Sequence, residues 1–153
     1  MPLVLISLIS YVLALIILLN VVYASDNTIA IQTKGTSTAI SIDQSGTSNT
    51  TTVWCGLSGG AYATHSCSNA TLTIDQHGTS NTARAYSQVT NHNDNVYTIN
   101  QNGNSNNAYI DLDNDVNVAS ITQTGNSNYG EIYMNGDDNV YTITQTGNSF
   151  YAK

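Results

Sequence analysis

The sequence has few charged residues and very few basic ones. Only 8% of its 153 residues are charged, and three Lys or Arg stand against ten Asp or Glu, which gives a formal net charge of −7. Proteins that bind nucleic acids hold the phosphates mainly through Lys and Arg, so we expect no nucleic-acid partner. The sequence also has a single Pro and a single Phe, and polar uncharged residues crowd it after the first two dozen positions, a composition unusual for an enzyme.

The N-terminal segment differs from the rest of the chain in being almost entirely apolar. Leu3 to Val22 form a nearly unbroken aliphatic run, Ala24 closes it, and the polar composition begins at Ser25. This pattern predicts a secretory signal peptide over residues 1–24 that is cut between Ala24 and Ser25. The run is also long enough to span a bilayer, which leaves an uncleaved N-terminal anchor as the alternative. Export is expected in either case, and residues 25–153 form the predicted mature domain.

Cysteine is scarce, with only Cys55 and Cys67. Two Cys without paired His at ligand spacing fall short of the four ligands of a structural zinc site. An even number of Cys in an exported chain is consistent with a disulfide between them. We interpret residues 55–67 as a loop insertion that lies outside the repeating part of the fold, so that assembly of the protein would not need the disulfide.

An internal repeat gives the clearest indication of architecture. The pattern Ile-x-Gln-x-Gly-x-Ser occurs five times, and the steps between its successive glutamines are 32, 25, 22 and 22. The base period is therefore 22, and the longer steps reflect insertions around Cys55–Cys67 and Gln88–Asp94. The positions that we expect to carry the stacking and assembly contacts are Gln44, Gly46, Asn49, Gln76, Gly78, Asn81, Gln101, Gly103, Asn106, Gln123, Gly125, Asn128, Gln145 and Gly147.

On both sides of each glutamine, apolar and polar residues alternate, as in half-buried strands. The segments between them are rich in Gly, Asn and Ser, which favour turns. Each repeat is thus a strand-turn-strand rung, and a single rung cannot bury its apolar face. Stacking about five rungs in register predicts an all-β, β-helix-like solenoid. Its inward core positions are Ile42, Ile74, Ile99, Ile110, Ile121, Ile132 and Ile143.

This repeat resembles that of the curlins, the subunits of bacterial curli fibres, whose pattern is Ser-x5-Gln-x-Gly-x-Gly-Asn-x-Ala-x3-Gln. The Gln, first Gly and Asn positions match in four repeats, whereas the second Gly is always Ser and the closing Gln is Leu112 or Met134. The resemblance implies a functional amyloid of the biofilm matrix that serves cell adhesion and surface attachment. It further implies an extracellular, cell-surface fibre exported through the periplasm. The implied partners are further copies of the chain, other curlin subunits or a nucleator, and an outer-membrane secretion pore.

Acidic residues and histidines are the remaining candidates for chemistry. Asp111, Asp113 and Asp115 alternate as in an EF-hand loop, but that loop needs Gly at its sixth and Glu at its twelfth position, where this chain has Val116 and Thr122. We interpret these acids as a charged turn whose repulsion keeps the adjacent strands from premature pairing.

The histidines, His65, His77 and His92, fall in predicted loops or outward positions of different rungs. A catalytic or metal role needs neighbouring partners in space, and although His77 follows Asp75, no nucleophile is predicted beside it. We therefore expect no catalytic residue, no metal and no cofactor, and we expect that the protein is not an enzyme.

Alternative functions are a nucleator-type minor curlin and a monomeric β-solenoid adhesin or surface-binding module. A binding module of this kind would present a flat array of Thr, which Asn100 and Ser120 interrupt here. A polysaccharide-cleaving enzyme would need two acids across a cleft, whereas the acids here fall mostly in predicted turns. For the fibre, the repeat frame leaves half a rung at either end. We therefore expect Val140–Gln145 of one copy to lie beside Asn27–Thr33 of the next.

Overall fold

The computed structural model describes residues 6–11, 16–23, 26–34, 37–55, 67–87 and 92–153. These residues form fifteen β-strands and no helix. Accordingly, the described ranges contain no helix of the length and apolarity needed to cross a membrane. The all-β fold class predicted from the repeat is confirmed.

Thirteen of the strands build two parallel sheets that face each other. The seven-stranded sheet holds, in spatial order, β1 (Ile6–Tyr11), β3 (Thr28–Lys34), β5 (Thr50–Cys55), β8 (Thr82–Ser87), β11 (Asn107–Asp113), β13 (Tyr129–Asn135) and β15 (Tyr151–Ala152). The six-stranded sheet holds β14 (Val140–Thr146), β12 (Val118–Asn126), β10 (Val96–Asn104), β7 (Thr71–Thr79), β4 (Ala39–Thr47) and β2 (Ile16–Tyr23). A separate short pair joins β6 (Cys67–Ser68) and β9 (His92–Asn93).

Successive rungs stack with equivalent residues in register. In the six-stranded sheet, the repeat isoleucines pair from strand to strand, and so do the repeat glutamines. The rungs predicted from the sequence are β4–β5, β7–β8, β10–β11, β12–β13 and β14–β15. Because each chain segment returns to the same place one rung higher, the molecule is a β-solenoid, as predicted.

The core lies between the two sheets and is filled by alternate side chains of every strand. Ile42, Ile74, Ile99, Ile110, Ile121 and Ile132 are all buried there. Ile143 lies on the edge strand β14, is half-buried, and packs against the same core. Each inward side chain thus contacts the equivalent side chain of the neighbouring rungs, which makes the core a stack of nearly identical layers.

The stack continues on the N-terminal side of the first predicted rung. In β3, Ile29, Ile31 and Thr33 are buried and in register with β5, as the repeat frame predicted. Strands β1 and β2 then add to the two sheets beyond β3 and β4. Ala24 and Ser25 lie outside the described residues, and their role as a signal cleavage site stays a prediction.

The corner that follows the first strand of each rung needs residues with positive φ. Gly103 has φ 134° and Ser105 has φ 56°, and the same pair of conformations recurs in the other four rungs. A Cβ atom at Gly103 would lie 1.9 Å from the carbonyl oxygen of Gly125 in the next rung, so glycine is needed for the rungs to approach. The serines adopt a left-handed conformation that L-residues disfavour, at the position where the curlin pattern has its second Gly.

Cys55 and Cys67 form a disulfide, with their Cα atoms 5.4 Å apart. Both are buried, and Cys55 is the last residue of β5, in register with β8. The expectation that the insertion lies outside the repeating fold is therefore wrong at its two ends. The reason is that Cys55 takes an inward position, which Leu112 and Met134 occupy in later repeats. Residues 56–66 lie outside the described residues.

Candidate functional site

A column of buried glutamines runs along the six-stranded sheet. Its members are at most 5% exposed, and they are Gln44, Gln76, Gln101, Gln123 and Gln145. The Nε2 of each donates to the Oε1 of the next, over 2.6, 2.8, 2.9 and 2.9 Å. Buried amides must find partners, and here each amide finds them in the adjacent rungs. We call this column the glutamine ladder.

The second N–H of these amides joins the two sheets. Gln76, Gln101, Gln123 and Gln145 donate it to a main-chain carbonyl at the start of a facing strand, over 2.9 to 3.3 Å. Gln44 donates instead to the hydroxyl of Thr51, which donates in turn to Gln76 Oε1. Thr51 stands where the curlin pattern has Ala, so this departure adds a hydroxyl to the ladder.

The asparagines that follow the Gly-x-Ser corner form a second ladder. The Oδ1 atoms of Asn49, Asn81 and Asn106 each accept the main-chain N–H of the equivalent residue in the next rung, over 3.0 Å. Their Nδ2 atoms donate to glycine carbonyls of the next rung over 2.8 to 3.0 Å, and Asn128 does the same. The Gly and Asn positions of the repeat thus form a single hydrogen-bonded unit at this corner.

A third ladder lies at the opposite corner and was not predicted as one. The main-chain N–H of Asn117 donates to Asn95 Oδ1 over 2.7 Å, and that of Asn139 donates to Asn117 Oδ1 over 3.0 Å. The signal for it was present, because Asn replaces the leading Ser of the curlin pattern in these three rungs.

The first two rungs have no asparagine at that opposite corner. Thr38 and Ala70 stand in its place, and both are buried. The hydroxyl of Thr38 donates to the carbonyl of Cys67 over 2.6 Å. The disulfide-bonded segment therefore links the chain at the corner where the third ladder is missing.

The C-terminal end of the stack is apolar and open. Strand β14 lies at the edge of the six-stranded sheet, and β15 covers only two residues of β13. Val140, Tyr141, Phe150 and Tyr151 are 71%, 59%, 51% and 69% exposed. An unpaired strand edge is a template for a further strand, and exposed apolar patches mark contact surfaces.

Asp111 and Asp113 are buried, contrary to their predicted place in an exposed charged turn. They are 2% and 6% exposed and belong to β11, whereas the bend begins after Asp113. Tyrosine hydroxyls satisfy one carboxylate oxygen of each, since Tyr109 donates to Asp111 over 3.0 Å and Tyr133 donates to Asp113 over 2.8 Å. Asp115 does lie in the bend.

A second tyrosine–carboxylate pair, Tyr129 and Glu131, lies on β13 of the seven-stranded sheet. Lys153 Nζ lies 3.0 Å from Glu131 Oε1, and the Tyr129 hydroxyl donates to Glu131 over 2.8 Å. The contacts with Lys153 and then Tyr129 hold the pKa of Glu131 below its usual range. Tyr129 also stacks on Tyr151, with ring centroids 4.9 Å apart.

His77 lies in a polar cluster on the outer face of the six-stranded sheet. Its Nδ1 is hydrogen-bonded to the Ser45 hydroxyl, and its Nε2 lies 2.7 Å from Asp75 Oδ1. The prediction that no nucleophile lies beside His77 is wrong, because parallel stacking brings Ser45 opposite it from a distant part of the sequence. Burial raises the pKa of Asp75, although His77 lowers it, and the neighbouring carboxylate of Asp43 raises it further.

His65 lies outside the described residues, and His92 belongs to the short strand β9. Within the described ranges, no group of three or more His, Cys, Asp or Glu side chains is placed to hold a metal ion.

Comparison with known proteins gives one match, to a family model. Residues 113–147, which run from the end of β11 through β12 and β13 and include all of β14, match the curlin associated repeat. No curated protein and no solved structure matches the chain. The match supports a curlin family relationship, and together with the solenoid it points to a structural protein.

Proposed function

We propose that this curlin-type protein is a structural subunit of an extracellular amyloid-like fibre. In this fibre, copies of the chain add end to end, and the fibre serves the biofilm matrix, cell adhesion and surface attachment. The proposal rests on the glutamine ladder, which runs in register through all five rungs and has complementary ends.

The two ends of the glutamine ladder match as donor and acceptor. Gln44 Oε1 is buried and has no hydrogen-bond partner among the described residues. At the other end, every glutamine before Gln145 gives one N–H to the Oε1 of the next glutamine, whereas Gln145 is the last of the ladder. The same step would join Gln145 of one copy to Gln44 of the next, once residues 1–24, and β2 with them, are removed.

In this arrangement the two sheets of one copy would meet the two sheets of the next, with one sheet offset from the other by one strand. If β14 of one copy pairs with β4 of the next, β3 of the second copy lies beside β14, in the facing sheet, and completes its rung. The repeat frame predicted this placement of Asn27–Thr33 beside Val140–Gln145. Strand β15 already pairs with Tyr129 and Gly130 in that place, so Tyr151–Lys153 have to move aside. A head-to-tail contact of this kind is heterologous and does not close, which is the condition for an open filament.

Export and partners follow from the same proposal. Cleavage between Ala24 and Ser25 would release the acceptor end of the ladder, so that assembly begins only after export. We propose an outer-membrane pore as the exit and other curlin subunits, including a nucleator, as partners on the cell surface.

Assembly of the chain without residues 1–24 tests the proposal. After release from denaturant at micromolar concentration, we expect thioflavin fluorescence to rise after a lag that added seeds abolish, with fibres visible by electron microscopy. Ile143→Lys, on the edge strand, should slow elongation strongly, and the matched control Thr122→Lys, on the outer face of β12, should not. A chain that stays monomeric for days would contradict the proposal and favour the surface-binding module.

A further inference from the structure

Ser45, His77 and Asp75 form a polar cluster on the exposed face of the six-stranded sheet, in which Ser45 is hydrogen-bonded to His77 and Asp75 lies within ion-pair distance of it. Ser45 and His77 stand directly opposite each other on β4 and β7, and Asp75 is two residues before His77, on the same face of β7. The side chains of His77 and Asp75 are 44% and 35% exposed. A small molecule can therefore reach the cluster from solvent.

The order of the contacts fixes which groups donate. A neutral imidazole has one N–H and one acceptor nitrogen, and the carboxylate of Asp75 can only accept. We therefore assign the N–H of His77 to Nε2, facing Asp75, which leaves Nδ1 to accept the proton of the Ser45 hydroxyl. A nucleophile bonded to a base that a third group orients is the arrangement that activates serine in hydrolases.

The fold itself does not require these three residues. In register with Asp75 and His77, β10 carries Asn100 and Asn102. The next strand, β12, carries Thr122 and Thr124 at the same positions. Since those rungs stack equally well, the cluster between β4 and β7 is a local addition to the repeat.

We propose that this cluster is an acyl-transfer site that hydrolyses small activated esters, such as aryl esters, in addition to the structural role of the chain. Ser45 Oγ attacks the ester carbonyl while its proton passes to His77 Nδ1, and the neighbouring carboxylate of Asp75 stabilises the imidazolium by its negative charge. The C–O bond to the leaving group breaks, and the leaving phenol takes the proton from Nδ1. Water then attacks the acyl-Ser45, His77 accepts its proton and returns it to Ser45, and the carboxylic acid leaves.

The rate is expected to be modest. The cluster lies on an open sheet face, so the acceleration comes from the nucleophile and its base, which typically contribute about 10²- to 10⁴-fold. This activity does not depend on the fibre, because β4 and β7 pair within one chain. Failure to assemble and failure to hydrolyse are therefore separate results.

The experiment measures p-nitrophenyl acetate hydrolysis by the full chain, and by the chain without residues 1–24 before and after its assembly. Ser45→Ala and His77→Gln should each lower the rate by at least about tenfold, and Asp75→Asn should lower it less. Ser41→Ala, on the same face of β4, is the matched control and should keep the wild-type rate. Mass spectrometry of quenched reactions should find the acetyl group on Ser45, and a fluorophosphonate probe should label the same residue.

Two results would overturn the proposal. If Ser45→Ala keeps the rate that His77→Gln loses, the imidazole acts alone as the nucleophile. If the wild-type chain is no faster than His77→Gln, the cluster has no hydrolytic activity. Circular dichroism of each variant shows whether the solenoid has folded, and the exposed position of the cluster leads us to expect that it has.

Discussion

Replacing Gln101 with Leu should destabilise the folded chain more than the same change at the end of the glutamine ladder. Leu has nearly the size of Gln, so packing is largely kept and the change acts on hydrogen bonds. In the middle of the ladder it leaves Gln76 Nε2 without its acceptor at 2.8 Å and Gln123 Oε1 without its donor at 2.9 Å. Each buried polar group left without a partner costs about 1–3 kcal/mol, so the loss amounts to about 2–6 kcal/mol.

At the end of the ladder the same substitution leaves one group unsatisfied. Gln145→Leu removes the acceptor of Gln123 Nε2 and should cost about 1–3 kcal/mol. Both variants also remove one donor to a main-chain carbonyl, over 3.0 Å at Gln101 and 2.9 Å at Gln145, and this contribution cancels in the comparison. The exposed position Asn102→Leu, next to Gln101 on β10, is the control for adding an apolar side chain.

Urea unfolding of the soluble chain, below the concentration at which it assembles, measures the difference. The only tryptophan, Trp54, lies in β5 with its ring centroid 5.3 Å from that of Tyr86, and its fluorescence reports unfolding. The expected order of urea midpoints is Asn102→Leu near wild type, then Gln145→Leu, then Gln101→Leu. Equal midpoints for the two glutamine variants would show that the ladder contributes no more than its packing.

Substitutions at three further places test other parts of the fold. Val116 has φ 59°, a conformation that costs a β-branched residue about 1–2 kcal/mol. Val116→Asn should therefore raise the urea midpoint and Val116→Ala should raise it less; a lower midpoint for the Asn variant would contradict the strain. Replacing Cys55 and Cys67 together with Ala should lower the free energy of unfolding by about 3 kcal/mol, and wild type in reductant should match the variant; unchanged stability in both cases would show that the corner needs no covalent link. Because burial raises the pKa of Asp75, its contribution to stability is present below its unfolded value of 3.8 and is lost as pH rises through its folded value. Asp75→Asn should therefore stabilise the chain at neutral pH and lose this advantage in acid, as denaturation curves at several pH values will show; an advantage that does not change with pH would contradict this assignment.

The repeat allowed most of the fold to be predicted. Identical residues one period apart must occupy identical environments, so the period and the alternation together predict the strands, the inward isoleucines and the parallel stacking. The placement of Ile29 and Ile31 in β3 followed from the same frame. Where the repeat is interrupted it predicts nothing, and the place of Cys55 and Cys67 in the core was missed for that reason.

The polar contacts were less predictable, because they depend on which rung follows which. Ser45 and His77 are 32 residues apart, which is longer than the base period of the repeat. An insertion lengthens this rung, and no other step of the repeat has the same length. Asp111 looked exposed by alternation, but it is buried, and Tyr109, two residues before it on β11, donates to it. Aligning the repeats on their glutamines places Ser45 opposite His77, but it does not show that the two side chains bond to each other.

The same contacts that hold one chain together would hold two chains together in the proposed fibre. A solenoid gains stability mainly through nearest-neighbour contacts between rungs, so adding a copy resembles adding one more rung, provided that the ladders continue. The glutamine ladder continues, from Gln145 to Gln44. The ladder at the opposite corner does not, since Asn139 would meet Thr38, which has no side-chain amide. The contact between copies therefore has one hydrogen-bonded ladder fewer than the contacts among the last three rungs. We expect a fibre of this chain to break first at this contact.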